Sequence, residues 1–258
     1  MTYETILWHQ HDGVGVITLN DPRAMNALSS RMRSEIRRAV QEAPSLGARV
    51  LVLTGEGRAF CSGQNLTESG DGPMDLGRVL REEYEPMLRA IADCPVPVIA
   101  AVNGVAAGAG ANLALAADVV IAAESAVFLQ AFTRIGLIPD AGGTYFLPRQ
   151  IGFARAMGAM LFADPVPARK AADWGMIWEA VPDEEFRSHW ERRAMQLALG
   201  PSAAFGAVKQ ALRQSLDNDL PAQLALEAEL QAACGRTADF VEGVAAFREK
   251  RQPVFRGA

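Results

Sequence analysis

Apolar residues along this chain fall into two kinds of run. Short, nearly unbroken runs at 14–19 (VGVITL), 49–54 (RVLVLT), 96–102 (VPVIAAV) and 118–122 (DVVIA) read as strands buried on both faces. Ile6-Leu7-Trp8 opens a first short strand, Val127-Phe128 starts a later one, and 176–181 supplies another. Met32, Ile36, Ala39, Val40 and Ala43 recur at helical spacing behind a Ser29 or Ser30 cap. Leu80, Tyr84, Met87, Leu88 and Ile91 do the same over 78–92, where Pro86 predicts a kink or a split.

From residue 183 onward no strand pattern remains. Helices fit at 183–199, 202–217, 220–234 and 238–250, with Pro201 and Pro221 at starts where a missing N–H costs little. The pattern is an α/β core followed by a helical C-terminal region. Between the two kinds of run, 67–77 is polar and rich in Gly and predicts a mobile surface loop.

The stretch 95–144 holds the densest candidate chemistry. Its strand ends at Asn103-Gly104, and the small residues 106–111 lead into an apparent helix at 112–117. Small side chains at a strand-to-helix turn let a ligand reach backbone N–H groups, which is how an oxyanion hole is built from main chain. The same residues would also serve tight helix–sheet packing, and taken alone they leave both uses open.

Length and charge narrow the classes. A chain of 258 residues can bury a large core in one domain. Half its residues are apolar but none form an 18-residue block, so no membrane partner is expected. A net charge of −5 argues against general nucleic-acid binding. Cys61, Cys94 and Cys234 are an odd number at no metal-like spacing, and the first residues have no basic and apolar leader regions. The expected location is cytoplasmic, with no metal. Gly108-x-Gly110-x-x-Leu113 lacks the third glycine of a dinucleotide fingerprint, and Ser62 lies in no nucleophile elbow. His9, His11 and His189 read as surface residues.

Three motifs in order, AFCSGQNL at 59–66, VNGVAAGAGA at 102–111 and IPDAGGT at 138–144, together with NDPRAMNAL at 20–28 and FREKR at 247–251, resemble the enoyl-CoA hydratase/isomerase (crotonase) superfamily over essentially the whole chain. Within it, GRAFCSGQNL, VNGVAAGAGANLAL, IGLIPDAGGT and ADWGMIW are most like the members that isomerise ring-1,2-epoxyphenylacetyl-CoA to an oxepin-CoA. The resemblance implies a spiral of ββα units over 1–195 and a C-terminal helical oligomerisation region over 196–258. It also implies a homotrimer or dimer of trimers. The substrate would be an acyl-CoA thioester, coenzyme A being part of the substrate and no separate cofactor being required.

Carried onto this chain, the resemblance places the oxyanion-hole N–H groups on Gln64 and Ala109. Coenzyme A would lie along Ser62, Gln64, Asn65 and Leu66, with Arg23 and Ala24 on the adenine side and Lys250 toward a phosphate. Lys250 and Arg251 read equally well as a solvated charge run at a helix end. Hydratases of the family use two glutamates to hold water; here those positions are Asn112 and Phe132, which with Leu137 would line the substrate pocket. The nearby acid is Asp140. Alone it could be a turn residue, but Leu137, Ile138 and Phe146 around it would desolvate a carboxylate and favour a proton shuttle over hydration.

Overall fold

Strand β1 (Ile6–His11) pairs antiparallel with β2 (Val14–Leu19), in register from Ile6 opposite Leu19 to His11 opposite Val14. Asp12 and Gly13 both take positive φ, the two-residue turn that matches strand twist. The computed structural model describes residues 2–66 and 75–257. After β2 come α1 (Ser30–Glu42), capped by the Ser29 hydroxyl, then β3 (Val50–Gly55) and β4 (Ala59–Cys61). Next are α2 (Leu76–Val79), a π-helical turn (Leu80–Tyr84) and α3 (Glu85–Ala92). The chain continues through β5 (Val98–Val102), β6 (Val105–Ala107), α4 (Ala109–Leu115), β7 (Val119–Ala123) and β8 (Val127–Leu129).

Two sheets result. With two later strands, β9 (Val166–Pro167) and β10 (Glu179–Val181), the larger has the order β1-β2-β3-β5-β7-β10 and is parallel from β2 onward; the smaller has the order β4-β6-β8-β9. Each winding of the spiral gives one strand to each sheet: β3 then β4, β5 then β6, β7 then β8. Asn103 holds the corner between sheets, accepting from Gly55 N–H (3.1 Å) and donating to the Gly57 carbonyl (2.9 Å). One face of the larger sheet packs on α1, α3 and α4 through residues such as Leu51, Leu53, Ile36 and Ile91. Its other face is covered by Phe186, Trp190, Ala194 and Ala198. Burial on both faces is why these strands read as unbroken apolar runs rather than alternating ones.

The remaining elements are α5 (Gly143–Ile151), α6 (Phe153–Phe162), β9 (Val166–Pro167), α7 (Ala168–Asp173), β10 (Glu179–Val181) and α8 (Asp183–Ala198). Helices α9 (Ser202–Gln214), α10 (Leu220–Cys234) and α11 (Ala238–Glu249) complete the chain. The helical C-terminal region is present as expected, and α8 runs through the 195/196 boundary while still packing on the large sheet. Helices α5 and α6 were not legible in sequence. The first carries Pro148 in its interior, which reads as a helix breaker, and the second exposes Phe153, Leu161 and Phe162, so it has no polar face opposite an apolar one.

Three expectations change. Of the kink or split expected at Pro86, the split does not occur: Glu85 N–H donates to the Leu80 carbonyl in a widened π turn, a local distortion that carries the chain past the residue lacking an N–H. The strand expected at 176–181 shortens to Glu179–Val181. The loop expected at 67–77 lies outside the described residues up to 74, and Asp75 caps the first turn of α2.

Candidate active site

The loop between β2 and α1 and the loop after β4 are laced together. Arg23 and Ala24 sit in a single 3-10 turn behind Asp21. Buried Asn26 donates to the carbonyls of Glu56 (3.0 Å) and Ala59 (2.8 Å) and accepts from Asp21 N–H (2.9 Å). Ser62 donates from its N–H to the Met25 carbonyl (3.0 Å) and from its hydroxyl to the Ala24 carbonyl (3.1 Å). The structure thus brings Ala24 and Met25 directly against Ser62, with Arg23 in the same 3-10 turn.

Beyond Ser62, Leu28 N–H donates to the Gly63 carbonyl (2.7 Å) and Asn65 N–H to the Leu28 carbonyl (3.2 Å). In that parallel bridge the Gln64 N–H points away from Leu28, because consecutive backbone groups alternate sides. The side it faces holds the turn from β6 into α4. A Cβ on Gly63 would lie 2.8 Å from the Ala107 carbonyl oxygen and 3.4 Å from the Ala109 nitrogen, so only glycine allows this approach. Ala109 is the first residue of α4, whose opening N–H groups have no intrahelical acceptor. Its helical conformation suits alanine without strain. Among the described residues neither Gln64 N–H nor Ala109 N–H has a backbone acceptor. The Phe132 ring packs beside Gly108 and is 7% exposed, so the wall near this turn is apolar.

The Gln64 side chain is fixed from behind. Its Oε1 accepts from Arg33 (2.9 Å) and from the Tyr84 hydroxyl (2.5 Å). Arg33, only 2% exposed, also donates to the Leu28 carbonyl and pairs with Glu83 at 2.6 Å, and its guanidinium lies 4.7 Å from the Tyr84 ring centre. Sequence reading passed over this cluster. The available signals were a cation on the buried face of α1 and a tyrosine on that of the π turn, each needing a polar partner once buried.

Tyr84 also lines a cleft of about 480 Å³ with Leu76, Leu80, Leu88, Leu137 and Asp140. Asp140 lies in a turn that continues into left-handed Ala141 (φ 47°) and Gly142 (φ 80°). Its Oδ1 is buried without a hydrogen-bond partner among the described residues, and burial pushes the carboxyl from the ordinary 3.8 up to about 6. No cation is among the causes of that shift. A carboxylate left this way is poised to take a proton near neutral pH.

Not every expected residue faces the cleft. Asn112 is wholly buried: its Nδ2 donates to the Asp140 carbonyl (2.7 Å) and its Oδ1 accepts from Gln130 Nε2 (2.8 Å). Both ends of the amide are used within the protein, so it supports the Asp140 turn rather than lining the pocket. Leu66 is 55% exposed beside the bridge. Lys250 is the left-handed cap of α11, and no hydrogen bond or ion pair among the described residues ties it to the Ser62 loop. Its neighbour Arg251 pairs with Glu242 and Glu249. His189 is also not a free surface residue, since its Nε2 lies 2.7 Å from Glu179.

Comparison with known proteins gives the family of this fold. The profile of the enoyl-CoA hydratase/isomerase family matches residues 9–258. A probable enoyl-CoA hydratase from Rhodobacter capsulatus is 62% identical over 100% of both chains. The 1,2-epoxyphenylacetyl-CoA isomerase of Escherichia coli K12 is 45% identical over 98% of this chain and 99% of its own. The crystal structure of an enoyl-CoA hydratase from Bacillus anthracis superposes with a TM-score of 0.94 at 32% identity, covering 99% of this chain and 100% of that one. A spiral of two-sheet windings, its C-terminal helices and an end-to-end match in sequence all lead to one assignment: the chain belongs to the enoyl-CoA hydratase/isomerase (crotonase) family.

Proposed function

We propose that this enzyme is an acyl-CoA isomerase with a single catalytic carboxylate. Asp140 takes the α-proton of a CoA thioester, the thioester oxygen gains the charge, and Gln64 N–H and Ala109 N–H stabilise that enolate. Each such donor contributes roughly 3 kcal/mol in the transition state. On a β,γ-enoyl-CoA the proton leaves the α-carbon, the double bond moves to the α,β position, and the proton returns at the γ-carbon. On ring-1,2-epoxyphenylacetyl-CoA the same shuttle accompanies epoxide opening and ring expansion to oxepin-CoA. Coenzyme A lies along Arg23, Ala24 and Ser62 to Leu66, and Lys250 serves a phosphate.

The observation that carries this reading is the isolation of Asp140. It is a buried carboxyl raised to about 6, whereas Asn112 is engaged within the protein and Phe132 is apolar. Hydration needs a second group to hold water, and neither residue offers a carboxylate. The Escherichia coli relative, an isomerase by name, supports the epoxide substrate. The Rhodobacter capsulatus relative, a probable hydratase by name, favours the second reading, an enoyl-CoA hydratase of fatty-acid oxidation.

Three thioesters separate the readings: a β,γ-enoyl-CoA, crotonyl-CoA and ring-1,2-epoxyphenylacetyl-CoA. Isomerisation of the first and third with slow hydration of the second is expected. Rapid crotonyl-CoA hydration that persists in Asp140→Asn would refute the single-carboxylate mechanism. Turnover of the β,γ-ester without the epoxide would move the assignment to a general Δ3,Δ2-enoyl-CoA isomerase. Turnover of none would leave a CoA-ester-binding subunit. The C-terminal helices mediate assembly into a trimer or a dimer of trimers, as the exposure of Leu224 (54%), Val241 (66%) and Phe247 (86%) supports.

A further inference from the structure

Behind the Asp140 turn lies a chain of amides that no step above uses. Gln130 follows β8 directly, is 3% exposed, and donates through Nε2 to Asn112 Oδ1 (2.8 Å). Asn112 sits one turn into α4 and donates through Nδ2 to the Asp140 carbonyl (2.7 Å). That carbonyl also accepts from Gly143 N–H (2.8 Å). The Leu129 carbonyl, one residue before Gln130, accepts from Gly108 N–H (2.7 Å), next to Ala109. Gly108, beside Ala109, and the turn at Asp140 are therefore linked through the backbone of Leu129-Gln130 and three hydrogen bonds.

Two features show that packing alone does not account for the line. Gln130 Oε1 is buried without a partner among the described residues, a loss that an apolar residue of the same size would avoid. The side chain thus appears at this position at a cost, and what it supplies is the Nε2 donor. Gly143 is tailored to Asn112 as well: a Cβ there would lie 2.4 Å from Nδ2. Local sacrifices of this kind gather at functional sites.

We infer that Asn112 and Gln130 are positioning residues, an amide relay that sets the Asp140 carboxylate at a fixed place relative to the Ala109 N–H. The inference rests on the reading of Asp140 as the base. A proton moved between two carbons of one substrate requires base and enolate donors to keep one spacing through both transfers. A misplacement of about 1 Å costs up to roughly a hundredfold in rate.

Asn112→Leu and Gln130→Met keep volume and remove the donors. Each is measured with the β,γ-enoyl-CoA for kcat, KM and the pH midpoint of kcat, alongside Asp140→Asn and the double variant. The ionisable groups on the cleft wall opposite Asp140 are Arg81, Tyr84 and Glu85, and all stay unchanged. Each single variant is expected to lower kcat about 10–100-fold while KM changes less than about twofold. The midpoint falls as the released turn lets the Asp140 carboxylate swing toward the open cleft, and the double variant is no worse than the poorer single one, because the relay is one chain. Should Asn112→Leu fail to fold, Gln130→Met alone decides. Folded variants with kcat within about twofold of the parent and an unmoved midpoint, beside an inactive Asp140→Asn, would overturn the relay alone. Full activity in Asp140→Asn would overturn the base reading and the relay with it.

Discussion

Replacing Asp140 by asparagine should make the protein inactive and more stable at once. The substitution keeps the size of the side chain and removes the base, so isomerisation should fall by about 10²–10⁴. The stability effect follows from the titration. Burial raises the folded-state value from the ordinary 3.8 to about 6, so the folded protein prefers the neutral carboxyl. That contribution is fully present below about pH 4 and is lost as pH rises through about 6; at neutral pH and above, the charged carboxylate burdens the fold. The displacement corresponds to about 3 kcal/mol, and partial exposure of the residue to the cleft reduces it to ~1–2 kcal/mol. Asparagine carries no charge at any of these pH values. Urea unfolding followed by the fluorescence of the four tryptophans, at one protein concentration and at several pH values between about 4 and 8, measures the difference. The variant should exceed the parent by ~1–2 kcal/mol at about pH 8, and the two should converge toward about pH 4. A gap that grows on acidification, or a variant no more stable than the parent at about pH 8, would refute the account of a desolvated, unpaired carboxylate.

The same titration sets the pH dependence of the reaction: kcat/KM for a β,γ-enoyl-CoA should rise to a plateau with a midpoint near the value of about 6, and a flat profile between pH 5 and 8 would contradict it. Arg33→Met leaves Glu83 without its cation and Gln64 Oε1 with one donor; it should destabilise by about 2–3 kcal/mol, below the 3–5 of a wholly buried pair because Glu83 keeps 21% exposure, with a fall in kcat alongside. Calorimetry should show CoA esters binding far more tightly than the matching free acids, and Arg23→Gln should weaken the ester alone; equal affinity for ester and acid would exclude recognition of the nucleotide. Sedimentation at micromolar concentration should give a trimer or hexamer, since none of the residues of α10 is buried within one chain; a monomer would leave that surface unexplained.

Local chemistry made much of this protein legible before its structure. Strands β2, β3, β5 and β7 are apolar runs because both faces of the large sheet are covered, a property each run carries by itself. The Ser29 cap and the helices α8 to α11 were likewise readable within a few residues; the burial of Asp140 was expected as well, although Ile138, one of the neighbours expected to cover it, is 79% exposed. What stayed hidden depends on distance in sequence. Arg33 meets Glu83 across 50 residues, Tyr84 meets Gln64 across 20, and Asn112 meets Asp140 across 28. Asn112 read as a pocket residue because the resemblance puts it where hydratases hold a glutamate; the partners that bury it lie 18 and 28 residues away. Periodicity records which side of an element is buried, but it carries no information about which polar group waits there. Only the winding of the chain brings a donor from one turn of the spiral to an acceptor on another, and that pairing decided which side chains line the cleft and which are held behind it.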